Sequence, residues 1–177
     1  PKGWDNQLKN EPGLIISWQR NWRLVSVGLG DGFGFDFIPR IGAALGNVAT
    51  FANIGGEIRI GYNLPLDFGT SLIRPGSGID APVDIADPRI RRRKNFGFHL
   101  FGDVEGRAVA RNIFLDGNTW RESHSVDKRP LVADLAAGFA ILYKRVKLSF
   151  TYVYRTKEFE RQWQGQQFGS ITLGITF

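Results

Sequence analysis

The sequence predicts an all-β protein: an antiparallel up-and-down transmembrane β-barrel with about seven strands present, forming one domain over residues 1–177. Three observations carry that reading. Apolar and polar residues alternate at the period of a strand through most of the chain. Many alternating segments reach the ~9–11 residues that a tilted strand needs to cross a bilayer, whereas globular strands average ~5–6. Polar stretches of loop character separate them, as long external loops separate the strands of a barrel.

Taken in order, the first strand is predicted over residues 13–24. Leu14, Ile16, Trp18 and Trp22 share a face with Arg20, opposite Ser17, Gln19, Asn21 and Arg23. The stretch GLGDGFG (Gly28 to Gly34) misses the dinucleotide pattern G-x-G-x-x-G, because Phe33 stands where the third glycine should be, and reads as a turn. The second strand, 33–45, sets Phe35, Phe37, Pro39, Ile41 and Ala43 against Asp36, Arg40 and Gly42, and its proline implies a bulge or an unpaired site. The third, 50–63, sets Ile54, Ile58, Ile60 and Tyr62 against Glu57, Arg59, Gly61 and Asn63. In the fourth, 96–111, Phe96, Phe98, Leu100 and Val104 oppose His99, Asp103, Glu105 and Arg107. The fifth and sixth, 131–142 and 146–157, join through a tight turn at Tyr143-Lys144-Arg145. The last is FGSITLGITF (Phe168 to Phe177), apolar on one face and small or hydroxylated on the other. Trp18, Trp22, Tyr62, Tyr143, Tyr152 and Tyr154 fall towards strand ends, as interfacial girdles require.

Composition narrows the classes without choosing among all of them. No run of 18 apolar residues exists, which excludes a transmembrane helix. A mean hydropathy of −0.19 fits a soluble lipocalin-like barrel or sandwich as well as a membrane barrel, whose two faces average out. Cysteine is absent, so no disulfide or thiolate metal site can form. A balance of 23 basic to 17 acidic residues gives +6 and implies an anionic partner: nucleic acid, anionic lipid or a phosphorylated glycolipid. Nucleic acid is set aside for want of a supporting fold motif. The chain starts at Pro1 and has no methionine, which predicts a removed signal peptide or a piece of a longer chain. An odd strand number points the same way, because single-chain bacterial barrels have even numbers, and places the missing strands upstream of Pro1. With Phe177 and the Lys144 turn on the periplasmic side, strand counting puts 112–130 and 155–167 outside but 64–95 inside. Either the long-loop rule fails once or a strand near residues 46–50 is miscounted.

Candidate chemistry is sparse. The row His99, Asp103, Glu105 and Arg107, with Asp134 on the next strand, suits either a catalytic or hard-cation site in a wet lumen or a salt-bridged plug filling a narrow barrel. Ser123-His124-Ser125 with Asp127 has the residue types of a hydrolase triad, but neighbours in one loop rarely have the geometry. Asp116-Gly117-Asn118 is too short for a calcium loop. Arg89, Arg91, Arg92, Arg93 and Lys94 form the strongest charge run, equally a phosphate-binding patch or a solvated loop.

The segments GWDNQLKNEPGL (Gly3 to Leu14), IPRIGAALGNVATFANIGGEIRIGYNLPLDFG (Ile38 to Gly69), EGRAVARNIFLDGNTW (Glu105 to Trp120), SHSVDK (Ser123 to Lys128) and TYVYRTKEFE (Thr151 to Glu160) together resemble the lipid A 3′-O-deacylases of the Gram-negative outer membrane. The resemblance spans nearly the whole chain. It implies a twelve-stranded barrel of which this chain is the C-terminal seven strands, a monomer when whole. It further implies a calcium-dependent hydrolase that releases the 3′-acyloxyacyl group of lipid A, with lipopolysaccharide and outer-membrane lipid as partners. The resemblance places the family's catalytic His and an upstream Gln, its Asn-Asp pair and its Thr or Ser region before Pro1, so the piece alone would be inactive, and His99 and His124 stand in other motifs. Trp4, Asp5, Gln7, Asn10 and Glu11 would follow the catalytic helix and help to fix it. Phe177 resembles the aromatic ending of outer-membrane barrels. A non-enzymatic structural or pore-forming barrel is the alternative.

Overall fold

A computed structural model describes residues 7–65, 67–69 and 96–175. They form one antiparallel sheet: β1 (Ile15–Asn21), β2 (Val25–Gly30), β3 (Phe33–Gly46), β4 (Ala49–Tyr62), β5 (Phe96–Asn112), β6 (Leu131–Tyr143), β7 (Val146–Arg155) and β8 (Gln166–Ile175). The order is β1-β3-β4-β5-β6-β7-β8, with β2 also on β3. A single-turn helix, α1 (Ile113–Asp116), follows β5. From β3 to β8 every strand pairs with its neighbour in sequence, which is the up-and-down meander predicted.

The strand count is the main difference from expectation. β1 and β2 lie on the same edge of β3, so they are one stave in two pieces. Asn21 pairs with Arg40 and Val25 with Phe37, so Trp22, Arg23 and Leu24 oppose only Ile38 and Pro39. That extra residue is a bulge, and it sits opposite the proline that cannot donate to the ladder. Trp22 and Leu24 still donate to the Pro39 and Phe37 carbonyls. Trp22 therefore stands at the break in the stave, not in a terminal girdle. Residues 28–30 belong to β2, and the turn shrinks to Asp31-Gly32 at positive φ (50° and 86°), the two-residue hairpin that Asp-Gly favours.

β3–β6 run 13 to 17 residues and β7 and β8 run 10, lengths that cross a bilayer. Their outward row is apolar and bare: Ile54, Ile58 and Ile60 on β4, Leu100 and Val104 on β5, Leu135 and Phe139 on β6, Leu148 and Phe150 on β7 are all exposed. The inward row is where burial lies, and it is ionic: Asp36, Arg40, Glu57, Arg59, His99, Asp103, Glu105 and Asp134 are buried. A water-soluble sandwich has the reverse arrangement. Among the described residues only Ala136 and Val153, with Phe168 packed on them, make a buried apolar cluster. The close approach at Gly138 also belongs to the interior. A Cβ there would meet the Phe150 carbonyl at 2.0 Å and the Phe101 ring at 2.6 Å, so the ring fills the space that glycine leaves.

The two ends differ. One gathers the turns at Asp31-Gly32 and Lys144-Arg145, with an outward belt of Phe33, Tyr62, Phe96 and Phe98 in edge-on and stacked contacts 5.6–6.4 Å apart. The other gathers the connections 113–130 and 156–165 and the 47–48 turn. The β3–β4 hairpin confirms the count at residues 46–50, so both anchors of the long 63–95 connection, Tyr62 and Phe96, stand at the tight-turn end. Its first residues turn back into the barrel. Among the described residues the edges β1/β2 and β8 do not pair with each other, so the sheet is open. Thr176 and Phe177 lie outside the described residues.

Candidate functional site

Two places collect polar side chains: the lumen and the loop end. In the lumen, register alone creates a problem. Glu57 stands opposite Asp103, and Glu105 opposite Asp134, like charges directly across a ladder, which is destabilising by itself. Arginines on neighbouring strands resolve it. Arg40 reaches over β4 and grips Asp103 with two nitrogens (2.5 and 2.6 Å) and Glu105 with its Nε (2.8 Å). Asn53 Nδ2 donates to the same Glu105 oxygen at 3.1 Å. Nearer the loops, Asp134 accepts from Arg107 (3.0 and 3.2 Å) and from Arg155 (2.8 and 3.1 Å), its direct partner across the ladder.

Towards the tight turns, Arg59 bonds Asp36 opposite it (2.6 Å) and Asp67, with Glu57 at 3.8 Å. Asp67 belongs to the infolded residues 63–65 and 67–69 and also takes Lys147 from β7 at 3.2 Å. Arg23 donates to the Pro65 (2.9 Å) and Asp67 carbonyls, and Asn21 to the Phe68 carbonyl. One short segment thereby ties β4, the β1/β2 bulge and β7 together across the lumen. Burial pushes the Asp67 carboxyl up, but Lys147 and Arg59 outweigh it and hold it at about 2.

The predicted row is thus real and inward, but it is neutralised. Asp103 and Glu105 meet Arg40, Asp134 meets Arg107 and Arg155, and the fully buried His99 ring lies 6.2 Å from Phe101. Among the described residues no three His, Asp or Glu side chains converge to hold a metal. The plug alternative fits this geometry and the hard-cation site does not. Arg40, Arg59, Arg155, Lys147 and Asp67 are the partners that sequence reasoning left out. Alternation already turned Arg40 and Arg59 inward, but only the register shows whom they meet.

At the loop end, Asn112 caps α1 by accepting from Phe114 N, and Asp116 ties back to Asn112 N (2.8 Å) and to Lys128 (2.6 Å). Arg111 holds the Asn47 and Gly117 carbonyls and the Thr119 hydroxyl. The chain from Lys9 to Leu14 is fastened on this platform. Lys9 and Asn118 exchange two hydrogen bonds (2.8 and 2.9 Å), and the Glu11 carboxylate accepts from the Thr119 (3.0 and 3.1 Å) and Trp120 (3.4 Å) amides. Asn47 receives Leu14 N and donates to the Pro12 carbonyl. Desolvation pushes the Glu11 carboxyl up, but hydrogen bonds from Asn118, Thr119 and Trp120 outweigh it and leave it below its usual range. Of the five residues expected to brace the preceding segment, Glu11 makes this latch, Gln7 and Asn10 are exposed, and Trp4 and Asp5 lie outside the described residues. Arg89, Arg91, Arg92, Arg93 and Lys94 lie outside them as well. Ser123 Oγ accepts from Asn118 N and the His124 side chain is exposed, so this trio builds the loop and is not a triad.

An antiparallel wall of bilayer-crossing strands with an apolar exterior and an ion-paired interior defines an outer-membrane β-barrel. The family model described as outer membrane protein LpxR matches residues 1–177, and the chain belongs to that family. Among solved structures, "LpxR from Salmonella typhimurium" is similar in fold, with a TM-score of 0.74 and 20% identity over 98% of this chain and 55% of that one. The chain therefore spans just over half the length of that relative. No curated protein matches the sequence.

Proposed function

We propose that this chain is the wall and part of the loop platform of an outer-membrane lipid A 3′-O-deacylase, which hydrolyses the ester that holds the 3′-acyloxyacyl group. The observation that supports this is family membership along the full 177 residues. The chain's own residues contribute position. Lys9 and Glu11 clamp residues 9–14 onto the 113–130 loop and Asn47 holds them to the 47–48 turn, and the family resemblance assigns the base to the part of the fold that precedes them. Hydrolysis that depends on such a base is sensitive to small displacements, so a rigid mount matters.

Calcium belongs to the proposal through the resemblance alone. The lumen carboxylates do not fit it, because arginines already occupy them, and the resemblance assigns its ligands to the rest of the family fold. The ion-paired lumen also disfavours the pore alternative. The test uses the full-length protein, expressed in a Gram-negative host whose lipid A retains its 3′ chains. Mass spectrometry should show loss of the 3′-acyloxyacyl group with calcium and none with chelator. Unaltered lipid A beside a correctly folded barrel would instead establish a non-enzymatic wall. Sedimentation in detergent should show a monomer.

A further inference from the structure

The outer wall carries a hollow near the loop end, where a barrel's lipid face is ordinarily bulky. Two cross-strand rows make it: Ala52-Ala108-Leu131, and Ile54-Gly106-Ala133. Its volume is about 660 Å³, inside the ~300–1,000 Å³ range of small-molecule sites. Gly106 explains the hollow. A Cβ placed there meets nothing within 4 Å, so neither close packing nor backbone strain demands the glycine. The missing side chain leaves a trough between Ile54 and Leu131, both exposed by two thirds or more.

Arg129 and Lys157 also line the trough, one just before β6 and the other just after β7. Arg129 gives one nitrogen to the exposed Glu160 at 3.0 Å, and its buried Nε has no partner among the described residues. Lys157 is half-buried and has no ion pair or hydrogen bond among them. Two of the three tight turns among the described residues, 31–32 and 144–145, stand at the opposite end, and short turns of such barrels face the periplasm, which assigns this end to the outer leaflet and the two cations to headgroup depth.

We propose that the trough binds one molecule of lipid A from the outer leaflet, an acyl chain lying over Gly106 and a phosphate between Arg129 and Lys157. Charge complementarity selects this occupant. A hydrocarbon trough alone takes any chain, whereas a pair of cations with a single acid beside them favours the lipid whose head carries phosphate groups. The inference rests on the outer-membrane location and on the orientation of the wall, not on hydrolysis, so either can fail without the other.

The test places a photo-crosslinking residue at Leu131 of the full-length protein in cells, and a control at Leu100 further down β5. Mass spectrometry of the adducts should find lipid A at 131 and not at 100. Gly106→Leu, or Ala108→Leu as an independent filling, should lower the lipid A adduct about tenfold, the loss of a place for roughly two methylenes. Arg129→Gln with Lys157→Gln should shift the adduct towards phospholipid. Folding of each variant is checked by the heat-dependent shift of its gel band. Mainly phospholipid adducts in the parent, adducts to a second copy of the chain, or a lipid A adduct indifferent to both fillings would overturn the proposal.

Discussion

Arg40→Met offers the sharpest test of the lumen. Arg40 is 5% exposed and satisfies two carboxylates, Asp103 and Glu105, whose side chains have no exposure at all. Removing the guanidinium leaves both charges buried without their main partner, next to Glu57 and Asp134 across the ladder. Breaking such a group from one side costs about 3–5 kcal/mol, while removing the charges together is close to neutral. The single variant should therefore lose about 3–5 kcal/mol, and the triple variant Arg40→Met, Asp103→Asn, Glu105→Gln should recover to within about 2 kcal/mol of the parent. Urea unfolding of the full-length protein in lipid vesicles, followed by tryptophan fluorescence, measures both. A single variant that loses less than about 1 kcal/mol would refute the view that these pairs hold the wall together. The triple variant also separates structure from chemistry. If it folds and still deacylates, Asp103 and Glu105 are filling, and if it folds but is inactive, they take part in catalysis.

Asp67→Asn should release the infolded segment from Lys147 and Arg59, which single-channel recording of the full-length protein would register as a larger conductance. With its folded value at about 2, the Asp67 carboxyl stabilises the segment above the ordinary 3.8, and that contribution disappears as pH falls from there towards 2. The parent should open over that acid range and the variant should show no such step. Glu11→Ala should speed hydrogen exchange at the Thr119 and Trp120 amides. Because the Glu11 value is also lowered, the parent's latch should persist through the usual carboxylate range and loosen only below it. Equal exchange in both proteins would show that the hydrogen bonds do not hold the segment.

Strands, turn positions and the inward faces were legible in the sequence, because period two assigns each side chain a face whatever the partner strand. The split of the first stave was less so. Pro39 announced an irregularity, but a bulge is shared between strands, and only pairing shows that the surplus residue falls at Trp22–Leu24. Site reasoning met the same limit. The sequence left Asp103 and Glu105 open between a ligand pair and a salt-bridged plug, because it shows same-strand neighbours, whereas Arg40 sits two strands away across the sheet. The infolding of residues 63–65 and 67–69 had no periodic signal, and its charge, Asp67, is recognisable only beside Lys147. The wall groove was invisible for a related reason. Gly106 and Ala133 are ordinary residues singly, and register alone makes them one hollow.

The interior pairing also determines where the protein's charge resides. In the lumen Arg23, Arg40, Arg59, Arg107, Lys147 and Arg155 stand against Asp36, Glu57, Asp67, Asp103, Glu105 and Asp134, cation for anion. The surplus of +6 therefore belongs to the rest of the chain. Ionic strength then acts on two separate layers. Salt screens charges that face water over roughly 8–10 Å but hardly reaches buried pairs. Raising it weakens the hold of exposed cations such as Lys9 and Arg121 on anionic surfaces and leaves the inner lattice nearly untouched.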